Sequence, residues 1–143
     1  MATTTWTGQF SRALDDKARV PFPAEWRKSG DGFRYEDLVL APSPTMDCIR
    51  AYPASIWEQK LEVVNKMADS DRVALFFRRA VVANAHKVKL DGAGRVLVPT
   101  SLREMFGISR ELVLAGQARY VEFWEPAQWQ EELSKLRLAA PDY

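Results

Sequence analysis

Asp15 and Arg19 stand four residues apart, and so do Asp91 and Arg95. A carboxylate and a guanidinium at that spacing across a tight loop can pair and fix the loop, or the arginine can be presented outward; the two uses are compatible. Arginine carries a planar fork of donors suited to phosphate oxygens or to the edge of a guanine. An exposed Asp–Arg pair adds little to stability, so stability alone is a weak reason for the same pair to occur twice. Catalysis fits these residues poorly. Asp15, Asp16 and Asp91 are carboxylates that acid–base chemistry could use, and Asp15 could face Asp91 across a twofold axis, but the arginine near each holds it ionised and disfavours a proton donor. The chain has one histidine, His86, and one cysteine, Cys48, and it lacks the glycine-rich phosphate loops G-x-G-x-x-G and G-x-x-x-x-G-K. No catalytic residue, metal site or cofactor is expected.

The two pairs belong to a longer repeat. Residues 14–27 and 90–103 share the pattern L-D-x-x-x-R-V-x-x-P-x-x-x-R, and the copies coincide at an offset of 76 residues. The pattern reads as strand, tight loop, strand, proline stop and short helix. His86, Val88 and Leu90 alternate with Lys87 and Lys89 at the period of a half-buried strand. Asp91-Gly92 and Gly94 supply turn chemistry. Val96 and Val98 share one face of the next strand, with Arg95 and Leu97 on the other. Pro99 suits a helix start, Ser101 and Glu104 could form a capping box, and Gly107 stops the helix.

The rest of the chain is also doubled. Residues 6–13 predict a first strand, and Gly30-Asp31-Gly32 is expected to end the short helix carrying Trp26. The strand Asp37 to Ala41 matches Glu111 to Ala115, and Cys48 to Tyr52 matches Tyr120 to Trp124. Helices are expected from Pro53 and from Pro126. Trp57, Leu61 and Val64 on the first are matched by Trp129, Leu133 and Leu136 on the second, a stripe that faces a core. Between the repeats, Asp69-Ser70-Asp71 caps a helix running to Arg79, which is expected to pack Leu75 and Phe76 onto the body. Such a duplication implies pseudo-twofold symmetry, with the loops at 15–19 and 91–95 as symmetry mates on one face.

Composition bounds the function. A chain of 143 residues, 47% hydrophobic and 11% aromatic, suits one ordinary domain or two small halves with a shared core. It has no apolar run of membrane-spanning length and no signal peptide, so a cytoplasmic protein is expected. Cys48 reads as a small buried hydrophobe. The net charge is +1, but residues 12–28 and 78–110, which contain the two motif copies, are net basic while the remainder is net acidic. With Lys17, Lys87 and Lys89 nearby, the twin loops suit duplex DNA, whose strands carry the same symmetry.

The tandem D-x-x-x-R motifs, the Tyr52-Pro53 and Phe123-Trp124 strand ends and the helices that follow them resemble the MraZ family over essentially the whole chain. The resemblance implies an α+β fold with a mainly β core: a pseudo-twofold, swapped-hairpin β-barrel of the AbrB, double-psi-like type, with flanking helices. Its parts are repeat 1 (7–54), a helical linker (55–82), repeat 2 (83–127) and a C-terminal helix and tail (128–143). It further implies a sequence-specific DNA-binding transcriptional regulator of the division and cell-wall gene cluster, a nucleoid-associated, ring-like homo-oligomer on promoter direct repeats, with repression as the expected outcome. No membrane, cofactor or small-molecule substrate is implied. Carried over by position, Arg19 and Arg95 contact DNA with Asp15 and Asp91 as partners; charge adds Lys17, and the repeat adds Arg27 and Arg103. Gly94 supports the second loop, whereas Ala18 stands where the family usually has glycine. Alanine is penalised at positive φ, so the first loop is expected to differ in shape. Two other readings are a protein-interaction scaffold, with the loops as subunit contacts, and an AbrB-type antitoxin, for which the short end from Leu138 to Tyr143 is a poor toxin-holding tail.

Overall fold

The computed structural model describes residues 5–28 and 37–141. The first repeat forms β1 (Gln9–Ala13), β2 (Arg19–Pro21), α1 (Ala24–Lys28), β3 (Leu38–Pro42), β4 (Ile49–Pro53) and α2 (Ala54–Asn65). The linker forms α3 (Arg72–Phe76), a π turn over Phe77–Val81 and a 3-10 turn over Val82–Asn84. The second repeat forms β5 (His86–Val88), β6 (Arg95–Leu97), α4 (Thr100–Met105), β7 (Glu111–Gly116), β8 (Val121–Trp124) and α5 (Pro126–Ala139). The Gly30-Asp31-Gly32 helix stop lies outside the described residues.

Six strands make one sheet in the order β1-β7-β8-β4-β3-β5, and β2 pairs with β6 in a separate ribbon. All the pairings are antiparallel. Under the duplication the order reads the same from either end, because β1 corresponds to β5, β7 to β3 and β8 to β4. The first strand of each repeat therefore pairs with the other repeat, and the register repeats the equivalence: Phe10 sits opposite Leu114 as His86 sits opposite Leu40. The outcome is a mixed α/β protein built on a mainly antiparallel sheet. It departs from the expected closed barrel: the sheet is open, and the edge strands β1 and β5 do not pair with each other as closure requires.

The pseudo-twofold passes between β4 and β8, where Arg50 faces Glu122. These symmetry mates carry opposite charges and pair at 3.4 Å, both well shielded from solvent. Two identical chains would set like against like here. Duplication within one chain freed the two positions to diverge into an ion pair. The main core lies between sheet and ribbon, where Val20 and Val96 meet Leu40, Ile49, Leu114 and Phe123. Trp6, Phe22 and Trp26 extend it under α1, with Trp6 edge-on to Phe22.

Several local expectations hold and several change. Asp71 caps α3 by accepting from the Val73 and Ala74 N–H groups, and Gly107 ends α4 at φ +67. The capping box does not form: α4 starts at Thr100 behind Pro99, without a side-chain cap bond. Ser101 is already inside the helix, and its hydroxyl lies 3.2 Å from His86 Nε2 instead. The linker packs through Phe77 and Val81 onto Tyr52 and Trp57 rather than through Leu75 and Phe76, the latter being half-exposed. On α2, Trp57 and Val64 are buried as expected; on α5, Trp129 is buried and Leu133 packs beside it, but Leu136 is 54% exposed. The asymmetry has a cause, since the linker covers α2 and, among the described residues, nothing corresponding follows α5. Cys48 is fully buried, and burial pushes its thiol pKa up, as expected of a small hydrophobe. Among the described residues no helix is long and apolar enough to cross a membrane.

Candidate nucleic-acid interface

The two D-x-x-x-R loops have the same construction. In the first, the Asp15 N–H donates to the Arg19 carbonyl at 2.9 Å and the Ala18 N–H to the Asp15 carbonyl at 3.0 Å. In the second, Asp91 and Gly94 repeat these bonds at 2.8 and 2.9 Å. One carboxylate oxygen of Asp15 accepts from the N–H groups of Lys17 and Arg19, both at 2.9 Å; Asp91 accepts likewise from Ala93 and Arg95. The other oxygen takes Nε of the motif arginine, at 2.9 Å for Arg19 and 3.0 Å for Arg95. Each aspartate thus closes its own turn and orients its own arginine.

The loops also meet. Arg19 Nη1 lies 3.7 Å from Asp91, and Arg95 Nη1 lies 3.5 Å from Asp15. The four side chains form a crossed quartet, each roughly one-third exposed. The ribbon explains the crossing. In the β2–β6 register Val20 faces Val96, Arg19 faces Leu97 and Pro21 faces Arg95. The valines are fully buried, so strand alternation turns the two arginines, Pro21 and half-exposed Leu97 to the outer side. Both carboxyls lie below the usual carboxylate range. For Asp15 the main cause is the Arg19 backbone N–H, supported by the Lys17 N–H and the Arg19 guanidinium against opposing desolvation. Asp91 follows the same pattern with Arg95 and Ala93.

Lys17 is exposed at the tip of the first loop, where the second has Ala93. Arg27 and Arg103 sit behind the ribbon's turns: Arg27 Nε donates to the Phe22 carbonyl at 3.2 Å, and Arg103 Nε donates to the Val98 carbonyl at 3.0 Å. Arg103 also reaches the Thr100 hydroxyl at 2.8 Å. Their guanidiniums brace the strand-to-helix turns, a task that the shared spacing does not reveal. Lys87 and Lys89 line a groove with Trp57, Glu58 and Leu61 of α2.

Comparison with known proteins bears on this arrangement. Residues 81–142 match the family model described as "MraZ protein, putative antitoxin-like". The transcriptional regulator MraZ of Thermomicrobium roseum is 35% identical over 94% of this chain and 91% of its own length. That of Nitrosospira multiformis is 33% identical over 82% and 79%, and that of Shewanella pealeana 29% over 94% and 88%. The chain belongs to the MraZ family. Those MraZ relatives are named as regulators rather than enzymes, in agreement with the non-enzymatic reading of the carboxylates.

In this MraZ chain the first loop does not differ in shape. Ala18 takes φ +60 beside Gly94 at φ +78, and the hydrogen bonds of the two loops match throughout. The pairing of both loops overrides the alanine's own preference. Ala18→Gly removes a left-handed penalty of about 1–2 kcal/mol and adds unfolded-chain entropy worth about 0.4–1 kcal/mol, so a net gain of roughly 0.5–1 kcal/mol is expected in urea unfolding. Gly94→Ala is expected to lose about 1–3 kcal/mol, because a Cβ there meets the Arg27 guanidinium as well as the backbone strain. The depressed Asp15 and Asp91 pKa values contribute stability at pH values above about 4, and this is lost as pH falls through the folded-state values. An Asp15→Asn, Asp91→Asn variant is therefore expected to melt lower at neutral pH and to lose less stability than the parent chain between about pH 5 and 2.

Proposed function

We propose that this chain is a sequence-specific DNA-binding transcriptional regulator whose two D-x-x-x-R loops present Arg19 and Arg95 together to duplex DNA. The observation that carries the reading is the crossed quartet, which holds two arginines on the outer side of one ribbon about a local twofold. Each guanidinium has five N–H donors, gives Nε to its own aspartate and turns Nη1 toward the other loop's, so the remaining donors can serve phosphate oxygens or a guanine edge. The dyad of the ribbon matches that of the duplex. Lys17 adds a phosphate contact beside the first loop, and Arg27 and Arg103 act from behind, holding the turns and adding positive potential. Asp15, Asp91 and Gly94 fix the loop shape.

The wider reading follows the family. Repeats 7–54 and 83–127, joined by 55–82 and followed by 128–143, form a swapped-hairpin unit of the AbrB type, in line with the exchange of β1 and β5. A near-neutral chain that neutralises few phosphates binds weakly at cellular salt. Several copies on evenly spaced promoter repeats multiply that affinity through effective concentration. We therefore place the protein in the cytoplasm, on the nucleoid, as a ring-like homo-oligomer that represses the division and cell-wall genes.

The test is anisotropy titration of the duplex upstream of the protein's own gene across a salt series. Arg19→Ala and Arg95→Ala are each expected to weaken binding by about tenfold or more if they read bases, or to reduce the salt slope by about 0.9 for each phosphate that the arginine neutralises. Unchanged affinity and slope in both variants remove the reading. Sizing the same variants separates it from the scaffold alternative, under which they dissociate.

A further inference from the structure

A second concentration of positive charge lies away from the ribbon, where α2 faces the start of β8 and the linker. Arg50, Lys60 and Arg119 converge there on a pair of tyrosines. Arg50 lies 4.4 Å over the Tyr120 ring, Lys60 Nζ lies 5.6 Å from the Tyr52 ring, and the two rings are 5.5 Å apart. Arg119 is held in place by Gln59 Oε1 at 2.9 Å. Glu122 answers only one of these cations, through its pair with Arg50. Beside them is a cavity of about 480 Å³, with an apolar wall of Ile56, Val63, Val64, Phe77 and Tyr120 and a cationic rim of Lys60 and Arg119. That volume lies within the range of small-ligand sites, roughly 300–1,000 Å³.

The duplication supplies an internal control. Trp57 and Trp129 are mates, and at the same offset Lys60 corresponds to Glu132, Arg119 to Asp47, Arg50 to Glu122 and Tyr120 to Cys48. Every cation of this cluster is therefore an acid at the symmetry-related place, and the partly buried Tyr120 ring is a fully buried thiol. One backbone framework has thus diverged into a cationic side and an acidic one, and the linker walls the cationic side through Phe77. Packing three cations together is also unfavourable: burial, and then Arg50 and Arg119, depress the Lys60 pKa. An anion seated between Lys60 and Arg119 would relieve that repulsion.

We propose that this cavity binds a small organic anion, with one carboxylate or phosphate group between Lys60 and Arg119 and a flat apolar body against Tyr120, Phe77 and Ile56. The site is independent of the DNA-binding reading, since it shares no residue with the two loops.

Calorimetry with 2-naphthyl phosphate, 2-naphthoate, 2-naphthol and inorganic phosphate tests it, together with methyl NMR of Ile56 and Val63. At least one naphthyl anion is expected to bind one-to-one and to shift both methyl groups, and the tighter of the two names the headgroup. Lys60→Gln and Arg119→Gln are each expected to weaken it about tenfold, while an Arg19→Ala, Arg95→Ala variant binds as well as the parent. Equal binding of 2-naphthol or of inorganic phosphate overturns the proposal. So does indifference to both Gln substitutions, loss of binding in the arginine-loop variant, or no methyl shift at about 5 mM probe.

Discussion

The contact on which this structure depends is the meeting of Val20 and Val96 in the two-stranded ribbon. Both side chains are fully buried in the main core, so their burial sets the register of β2 against β6 and, through strand alternation, the outward direction of Arg19 and Arg95. The crossed quartet then follows. Each aspartate is committed to its own turn by backbone N–H groups, and the ribbon brings the second arginine close to it. A one-residue slip of either strand would turn its arginine inward and its valine out.

The exchange of edge strands makes the same point at the level of the whole molecule. Because β1 pairs with β7 and β5 with β3, neither repeat completes its sheet without the other. The loops are therefore fixed to one body. Along the axis, symmetry has been kept where geometry needed it and abandoned where charge did. The ribbon retains valine opposite its mate, while Arg50 and Glu122 have become an ion pair. The surroundings of α2 and α5 have diverged further, one cationic and covered by the linker, the other acidic and, among the described residues, without such a cover.

Much of this is legible in the residues. The Leu-Asp-x-x-x-Arg-Val pattern, written twice, predicts two alike loops, and the alternation of Val96 with Arg95 and Leu97 predicts which side faces out. The crossed contacts from Arg19 to Asp91 and from Arg95 to Asp15 are not legible, because spacing along the chain does not reveal partners across a dyad; only the neutral count of two acids and two bases hints at them. Ala18 misleads for a related reason. Its local preference opposes φ +60, but the hydrogen bonds closing the loop and pinning the ribbon outweigh a penalty of about 1–2 kcal/mol. Arg27 and Arg103 share their spacing with the motif, yet carbonyls five residues back hold them as braces. The packing face of the linker is hidden because the sequence does not signal that α3 passes into a π turn, which presents Phe77 and Val81 in place of Leu75 and Phe76.

The central claim is that one ribbon presents both motif arginines as a unit. The most direct measurement is nitrogen-15 NMR of the Arg19 and Arg95 Nε–H groups during titration with a duplex from the protein's own promoter. Both resonances are expected to persist in the free protein, shifted by their aspartates, and to move together at the same stoichiometry as DNA is added. Movement of neither, while amides elsewhere in the chain respond, would contradict it.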